Sequence, residues 1–250
     1  MVLIAGLLAA LFLLPRPALA ALIAVLVLLA GLEWARLCRL GSRSVWAFGV
    51  TLSIVFLMID YIGLQQAMFG VAALFWIVIA PAWMWRGLHP AQVTPWIRAA
   101  GFAVLVPAGL AMLALRPLEV LLLLVLVWIA DIGAYFVGRA WGRRKLAPSI
   151  SPGKSWEGAI GGVLGALAYA IICGFFIEGI AWAAYLAAAA LLAMVSIVGD
   201  LFESAAKRQA GVKDSGTLLP GHGGVLDRID SATAVLPLAA LLWPLVRGTA

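Results

Sequence analysis

The stretch PLEVLLLLVLVWIADIGAYFVG, residues 117–138, decides the fold. It is an apolar run as long as the hydrocarbon core of a bilayer is thick, which an α-helix crosses in about 20 residues. Asp131 lies inside it, and Tyr135 follows four residues later on the same helix face. A carboxylate at the centre of a membrane helix costs about 2.5–3.5 kcal/mol on insertion scales, so Asp131 is a functional candidate by default.

Runs of the same kind extend to both sides. They fall at about 2–14, 18–35, 45–63, 67–85 and 99–115 before this stretch, and at about 158–177, 180–202 and 231–246 after it. The first is short for a bilayer. Although MVLIAGLLAALFLLPRPALA imitates a signal peptide, it has no basic residue ahead of its apolar part, and another apolar run follows at once. It reads as a first membrane helix. With 65% hydrophobic and 11% charged residues and a mean hydropathy of +1.11, a chain of 250 residues has lipid as its main solvent. No strand alternation supports a β-barrel. The fold class expected is all-α, a polytopic integral membrane bundle of about nine transmembrane helices.

The net charge of +6 reports orientation, not nucleic-acid binding. Of the 17 Lys and Arg, all but Arg16, Arg116 and Arg247 follow the second, fourth, sixth or eighth segment. The positive-inside rule therefore places those connections, and the N-terminus, in the cytoplasm. Five N-terminal helices over 1–115 are expected to precede a catalytic region over 116–250, with cytoplasmic loops at about 139–157 and 203–230. GAIGGVLG, residues 158–165, offers a small-residue surface for close contact between helices of the same chain. Cys38 and Cys173 are far apart and suit neither a disulfide framework nor a metal site.

The chemistry gathers in three places. In GDLFESAAKRQAG, residues 199–211, Asp200, Glu203, Ser204, Lys207 and Arg208 share one helix face, the reverse of an apolar stripe. A snorkelling helix end accounts for Lys207 and Arg208 but poorly for Asp200. In KDSGTLLPGHGGVLDRID, residues 213–230, Pro220 and Gly221 break the chain before His222, and Gly223 and Gly224 after it permit conformations that turn backbone N–H groups toward an anion. The next helix starts near Leu226, and its positive dipole end also favours phosphate. Asp227 and Asp230 share a face of that helix; beside an anion they call for a cation between them, such as Mg²⁺. Asp230 alone reads equally well as a helix-start carboxylate or a partner of Arg228.

The third place follows Asp131. Arg139, Arg143, Arg144, Lys145 and Lys154 form a basic surface suited to anionic headgroups and triphosphate. Glu157 is expected to pair with Lys154. Pro148 stands where a P-loop would have its first glycine, so Gly153-Lys154-Ser155 is not a nucleotide loop of that type. Asp60 reads as an interfacial charge, and His89 as solvated.

The run from Ser204 through Lys207-Arg208, Lys213-Asp214, Gly216, Leu219-Pro220, His222-Gly223-Gly224-Val225 and Asp227-Arg228-Ile229-Asp230 resembles the signature of the phosphatidate cytidylyltransferases. DIGAYFVGR and SPGKSWEG look like a second block of that family, so the resemblance covers about 128–235. Ala206 departs from it, standing where a larger aliphatic residue is usual. The resemblance implies CTP and phosphatidic acid as substrates, CDP-diacylglycerol and pyrophosphate as products, and Mg²⁺ with an optional second cation. It implies catalytic roles for Lys207, Arg208, Asp227 and Asp230, and metal ligation by Asp131, Asp200 and Asp227. Substrate binding would fall to Lys154, Ser204, Lys213, Asp214, His222, Gly223, Gly224 and Arg228, with the groups that meet ribose or base left open. A homodimer in a bacterial inner membrane, with its site facing the cytoplasm, is implied by analogy. The alternatives are a CTP-dependent lipid kinase of the polyprenol type and, without inverted-repeat symmetry to support it, a transporter using Asp131 and Asp200.

Overall fold

A backbone surrounded by oil has to satisfy its own hydrogen bonds, and a single segment does so only as a helix. The computed structural model describes residues 2–86, 94–216 and 223–246, and in it the apolar runs form nine helices. The first five are α1 (Val2–Leu13), α2 (Arg16–Leu37), α3 (Ser42–Ile62), α4 (Gln65–Arg86) and α5 (Thr94–Ala114). They are followed by α6 (Pro117–Trp141), α7 (Trp156–Gly174), α8 (Trp182–Ala210) and α9 (Leu226–Val246). Eight are long and apolar enough to cross a membrane. The exception is α1: its 12 residues rise about 18 Å, well short of a hydrocarbon core of about 30 Å. All nine expected segments are thus helical among the described residues, and eight of them have the length and composition of a membrane crossing.

Local chemistry sets several helix ends. Pro117 opens α6, and Glu119 reaches back to the Arg116 N–H at 2.9 Å. Gly211, with φ +75°, ends α8 in the left-handed conformation that glycine adopts without strain. Two loops expected from sequence are shorter than supposed. Helix α8 continues to Ala210 and α9 begins at Leu226, so Glu203, Lys207 and Arg208 are helical, as their spacing indicated, and the connection spans only 211–225 instead of 203–230. Between α6 and α7 runs an antiparallel hairpin, β1 (Lys145–Ala147) and β2 (Ser151–Ser155), where no strand was expected.

Cross-chain bonds define two faces. On one, Arg39 at the end of α2 donates to the Gln209 and Ala210 carbonyls at the end of α8, each at 3.4 Å, and Arg208 donates to Ile150 O of the hairpin. On the other, Arg16 at the start of α2 bonds Asp60 near the end of α3 at 2.8 Å. There, too, the Ala181 N–H donates to Val246 O. Asp60 thus has a specific partner.

Phe202 of α8 is the hub of the core beneath the first face. It is 1% exposed and meets Trp34, Phe75, Trp76 and Trp83 at ring distances of 5.2–6.3 Å. A π-turn at Phe75–Ile79 widens α4 by one residue per turn and buries Phe75 and Trp76 side by side. This cluster fixes the rotation of α8, so Asp200 is turned to a cleft while Glu203 stays beside Phe202, Trp34 and Trp76.

The small-residue surface at 158–165 packs within the chain, against α6. A Cβ on Gly162 would lie 2.7 Å from the Ala130 carbonyl oxygen, and one on Gly158 would lie 2.8 Å from that of Ala134. Backbone cannot yield as a side chain does. At Gly165 the nearest atom would be at 3.5 Å, an ordinary contact. Gly162→Ala is expected to cost about 1–3 kcal/mol by overpacking, and Gly165→Ala close to nothing. Thermal unfolding of the two variants in mild detergent checks this contrast.

Candidate active site

Between α6, α7 and the hairpin lies a cleft of about 870 Å³, lined by Asp131, Tyr135, Arg139, Lys154, Ser155 and Asp200 among others. Its geometry begins with how the hairpin is held. Ser155 caps α7 by accepting from the Gly158 N–H at 3.2 Å. Glu157, in the first turn, accepts from the Arg143 and Arg144 N–H groups at 3.1–3.3 Å. The expected Glu157–Lys154 pair is therefore corrected: Glu157 staples the start of the hairpin, and Lys154 is released toward the cleft.

Lys154 instead reaches α8. Its Nζ donates to Asp200 Oδ2 at 2.5 Å, and Ser204 donates to Asp200 Oδ1 at 3.2 Å, one turn along the same helix. Asp131 of α6 adds a second carboxylate to this cleft, whereas Asp230 of α9 lines a smaller cavity with Glu203, Phe202 and Trp34. Asp131 is exposed and accepts no hydrogen bond from the described residues, while Asp230 Oδ1 accepts from the Ser231 N–H at 2.7 Å. Among the described residues, no three His, Cys, Asp or Glu groups stand close enough to hold a metal ion by themselves. At the rim, Arg139 donates to the Tyr135 hydroxyl at 2.7 Å. Lys145 also lines the cleft.

A second polar centre lies where α8 meets the start of α9. Lys207 Nζ donates to Asp227 Oδ1 at 2.7 Å and stands 3.2 Å from Glu203 Oε1, and both carboxylates are largely buried. Asp227 Oδ2 takes three further bonds, from the Ser215 N–H and Oγ at 2.9 Å and the Gly224 N–H at 2.8 Å. Gly223 has φ +79°, and a Cβ there would meet Asp227 Oδ2 at 2.8 Å, which accounts for glycine at that position.

Here the structure departs from the expected anion loop. The Gly224 N–H is taken by Asp227, and the Val225 and Leu226 N–H groups donate to Glu33 at 3.0 and 2.9 Å. The start of α9 is thus capped by the protein's own carboxylates, and these N–H groups are not turned toward an external phosphate. Lys213 and Asp214 are exposed in the turn after α8, with no bond to the carboxylates. Arg208 is directed to the hairpin through Ile150 O, and Arg228 is exposed on the first turn of α9. His222 and His89 lie outside the described residues.

Glu33 was missed from sequence. It is fully buried, at 0% exposure, and it comes from the N-terminal half. The available signal was the one that marks Asp131, a carboxylate within an apolar run. Arg36 and Arg39 close by made that end of the run look like an ordinary membrane boundary.

The model of the cytidylyltransferase family matches residues 1–246. A phosphatidate cytidylyltransferase of Pseudomonas aeruginosa is 43% identical, over 93% of this chain and 90% of that protein. Proteins of the same name are 48% identical in Haemophilus influenzae, over 54% of this chain and 53% of that protein, and 42% identical in Thermotoga maritima, over 51% and 50%. The chain thus spans about half the length of these last two and nearly all of the first. On the family match along almost its whole length and the full-length likeness, the chain belongs to the cytidylyltransferase family.

Proposed function

We propose that this chain is a membrane-embedded phosphatidate cytidylyltransferase, which transfers the cytidylyl group of CTP to phosphatidic acid and yields CDP-diacylglycerol and pyrophosphate. The observation that carries the reading is the cleft where Lys154 is held against Asp200 beside Asp131, in a chain 43% identical to a full-length relative of that name.

The chemistry asks for little covalent help. An oxygen of the lipid phosphate, already anionic near neutral pH, forms a bond to the α-phosphorus of CTP. The bond from that phosphorus to the β-phosphate oxygen breaks, and pyrophosphate leaves with the electron pair. The work lies in holding two polyanions in line and offsetting the charge that builds on the leaving group. Lys154 and Arg139 are placed in the cleft for that purpose, and Tyr135 orients Arg139. Lys207, Arg208, Lys213 and Arg228 belong to the same basic face as further phosphate contacts, with Ser204 and Asp214 as polar neighbours.

Mg²⁺ fits the donor set. Asp131 and Asp200, from α6 and α8, bring two carboxylates to one cleft and make a hard, anionic oxygen pair. Mg²⁺ needs only one or two protein carboxylates, because substrate phosphate oxygens and water complete its shell. Asp131 and Asp200 are the residues proposed to hold it, together with substrate phosphate oxygens; when bound it would neutralise phosphate charge and polarise the reacting phosphorus. Asp227, expected among the ligands, has both oxygens engaged, and its proposed role is to hold Lys207 and the Ser215 turn in place. The cleft is proposed to face the cytoplasm, where CTP is found, since that face carries nearly all of the Lys and Arg.

The test is the purified protein in mild detergent with phosphatidic acid, Mg²⁺ and CTP labelled at the α-phosphorus. Labelled lipid and equimolar pyrophosphate are expected. Labelled CDP beside an unlabelled phosphorylated lipid would identify a kinase, and no turnover with any lipid phosphate would sink the enzymatic reading. In the same assay, Asp200→Asn is expected to lower kcat by roughly 10²–10³-fold, the scale for losing one preorganised electrostatic group. Lys154→Gln removes a charge-assisted bond worth about 1.5–3 kcal/mol, so kcat/KM is expected to fall about 10- to 100-fold. An unchanged value for either variant removes that residue from the proposed site.

A further inference from the structure

We propose that Glu33 of α2 is a positioning residue for the transfer reaction: it holds the first turn of α9, and with it Asp227 and Asp230, in register with α8. The inference rests on the function proposed above.

Glu33 makes its bonds to two separate pieces of chain. Oε1 accepts from the Val225 N–H at 3.0 Å, and Oε2 accepts from the Leu226 N–H at 2.9 Å and from Ser215 Oγ at 3.1 Å. The first N–H groups of a helix have no intrahelical partner, and an anion there also meets the positive end of the dipole. In most helices a neighbouring residue supplies this cap. Here it comes from 192 and 193 positions earlier in the chain. Ser215 links the two carboxylates, because Asp227 Oδ2 lies 2.9 Å from the same hydroxyl. That hydroxyl has one hydrogen, so it serves one carboxylate at a time while its backbone N–H stays on Asp227.

The glycines beside these bonds point to the same role. A Cβ on Gly216 would lie 2.8 Å from Glu33 Cδ, and one on Gly224 would also lie 2.8 Å from it. Neither glycine has a positive φ, so conformational freedom is not the reason for them. They are gaps through which the Glu33 carboxylate passes between the Ser215 turn and the start of α9. Two glycines of the C-terminal signature are thus shaped by a side chain of the N-terminal half.

Glu33 is also carried on a rigid support. The adjacent Trp34 is 2% exposed, donates to Ile97 O of α5 at 2.8 Å and stacks on Phe202 at 6.3 Å. Phe202 stands two residues from Asp200 and one from Glu203 on α8. The same pair of α2 residues therefore fixes α8 through Trp34 and α9 through Glu33. The two helices carry Asp200, Lys207, Asp227 and Asp230, whose relative placement the reaction needs to within fractions of an ångström.

The test uses the full chain in lipid nanodiscs, comparing wild type, Glu33→Gln, Ser215→Ala and the double variant. Gln keeps the shape but turns one acceptor into a donor facing a backbone N–H. Glu33→Gln is expected to lower kcat on the order of 10- to 100-fold, the cost of misplacing reacting groups by about an ångström. CTP should still bind at full stoichiometry, KM for CTP should stay close to wild type, and faster amide exchange should be confined to the start of α9. The double variant should lose less than the product of the two single losses, since both act on one network. Wild-type kcat in Glu33→Gln overturns the proposal. So does a loss of CTP stoichiometry and of helix protection throughout, in proportion to kcat, which marks a residue of folding alone. Independent, multiplicative losses overturn it as well. If the wild type makes no CDP-diacylglycerol, the functional reading fails separately, and amide exchange at 225 and 226 still reports whether Glu33 holds the helix.

Discussion

A carboxylate removed from water has to be met by hydrogen-bond donors or by a cation, and the described part of this molecule is organised around four such encounters. Glu33 meets the backbone at the start of α9, Asp227 meets Lys207 and the Ser215 turn, Asp200 meets Lys154, and Glu203 lies beside Lys207. Each joins elements far apart in the chain or one turn apart on α8. Apolar packing brings helices together but slides easily in lipid, where neighbouring acyl chains are as oily as leucine. Directional bonds between buried charges fix where along its axis each helix stops.

The four encounters form one connected structure. Lys207 ties Glu203 and Asp227, Ser215 ties Asp227 and Glu33, and Trp34 and Phe202 link α2 back to α8 beneath them. The hairpin is the more lightly held part. Its connection to the rest runs through the Glu157 staple, the Ser155 cap, the Lys154–Asp200 bond and the Arg208 bond to Ile150 O. A site of this kind has a stiff floor and one separable wall. Substrate phosphates that compete for Lys154 would loosen that wall from Asp200 and free a carboxylate oxygen at the same moment.

Much of this was legible in the sequence. The eight helices of membrane-crossing length follow from the length of apolar runs, because lipid leaves the backbone no other solution, and Asp131 and Asp200 stand out because a carboxylate within an apolar run needs a reason. What escaped is what depends on distant pairing. Glu33 has its partners at 215, 225 and 226, and nothing within a helical turn of it indicates them. The glycine-rich turn has the composition of a phosphate cradle, yet its described N–H groups are taken by Glu33 and Asp227, a substitution of protein carboxylate for substrate anion that composition alone cannot distinguish. The hairpin is too short, and with Pro152 and Gly153 too unlike a strand, to stand out against a loop.

The length of α8 has one more consequence. Its 29 residues rise about 44 Å, and Asp200 lies about 27 Å from its start, near the depth at which a hydrocarbon core ends. If α8 starts at one edge of the hydrocarbon core, its remaining turns reach the headgroup region, where a polyanion dissolved in water need not enter oil and a diacyl lipid need not leave it. The two reactants then obey different concentration laws. CTP arrives according to its molarity, but phosphatidic acid arrives by lateral diffusion, according to its mole fraction in the sheet. Diluting the membrane with neutral lipid would slow the enzyme at constant bulk substrate, and the composition of the bilayer itself becomes a control on the rate.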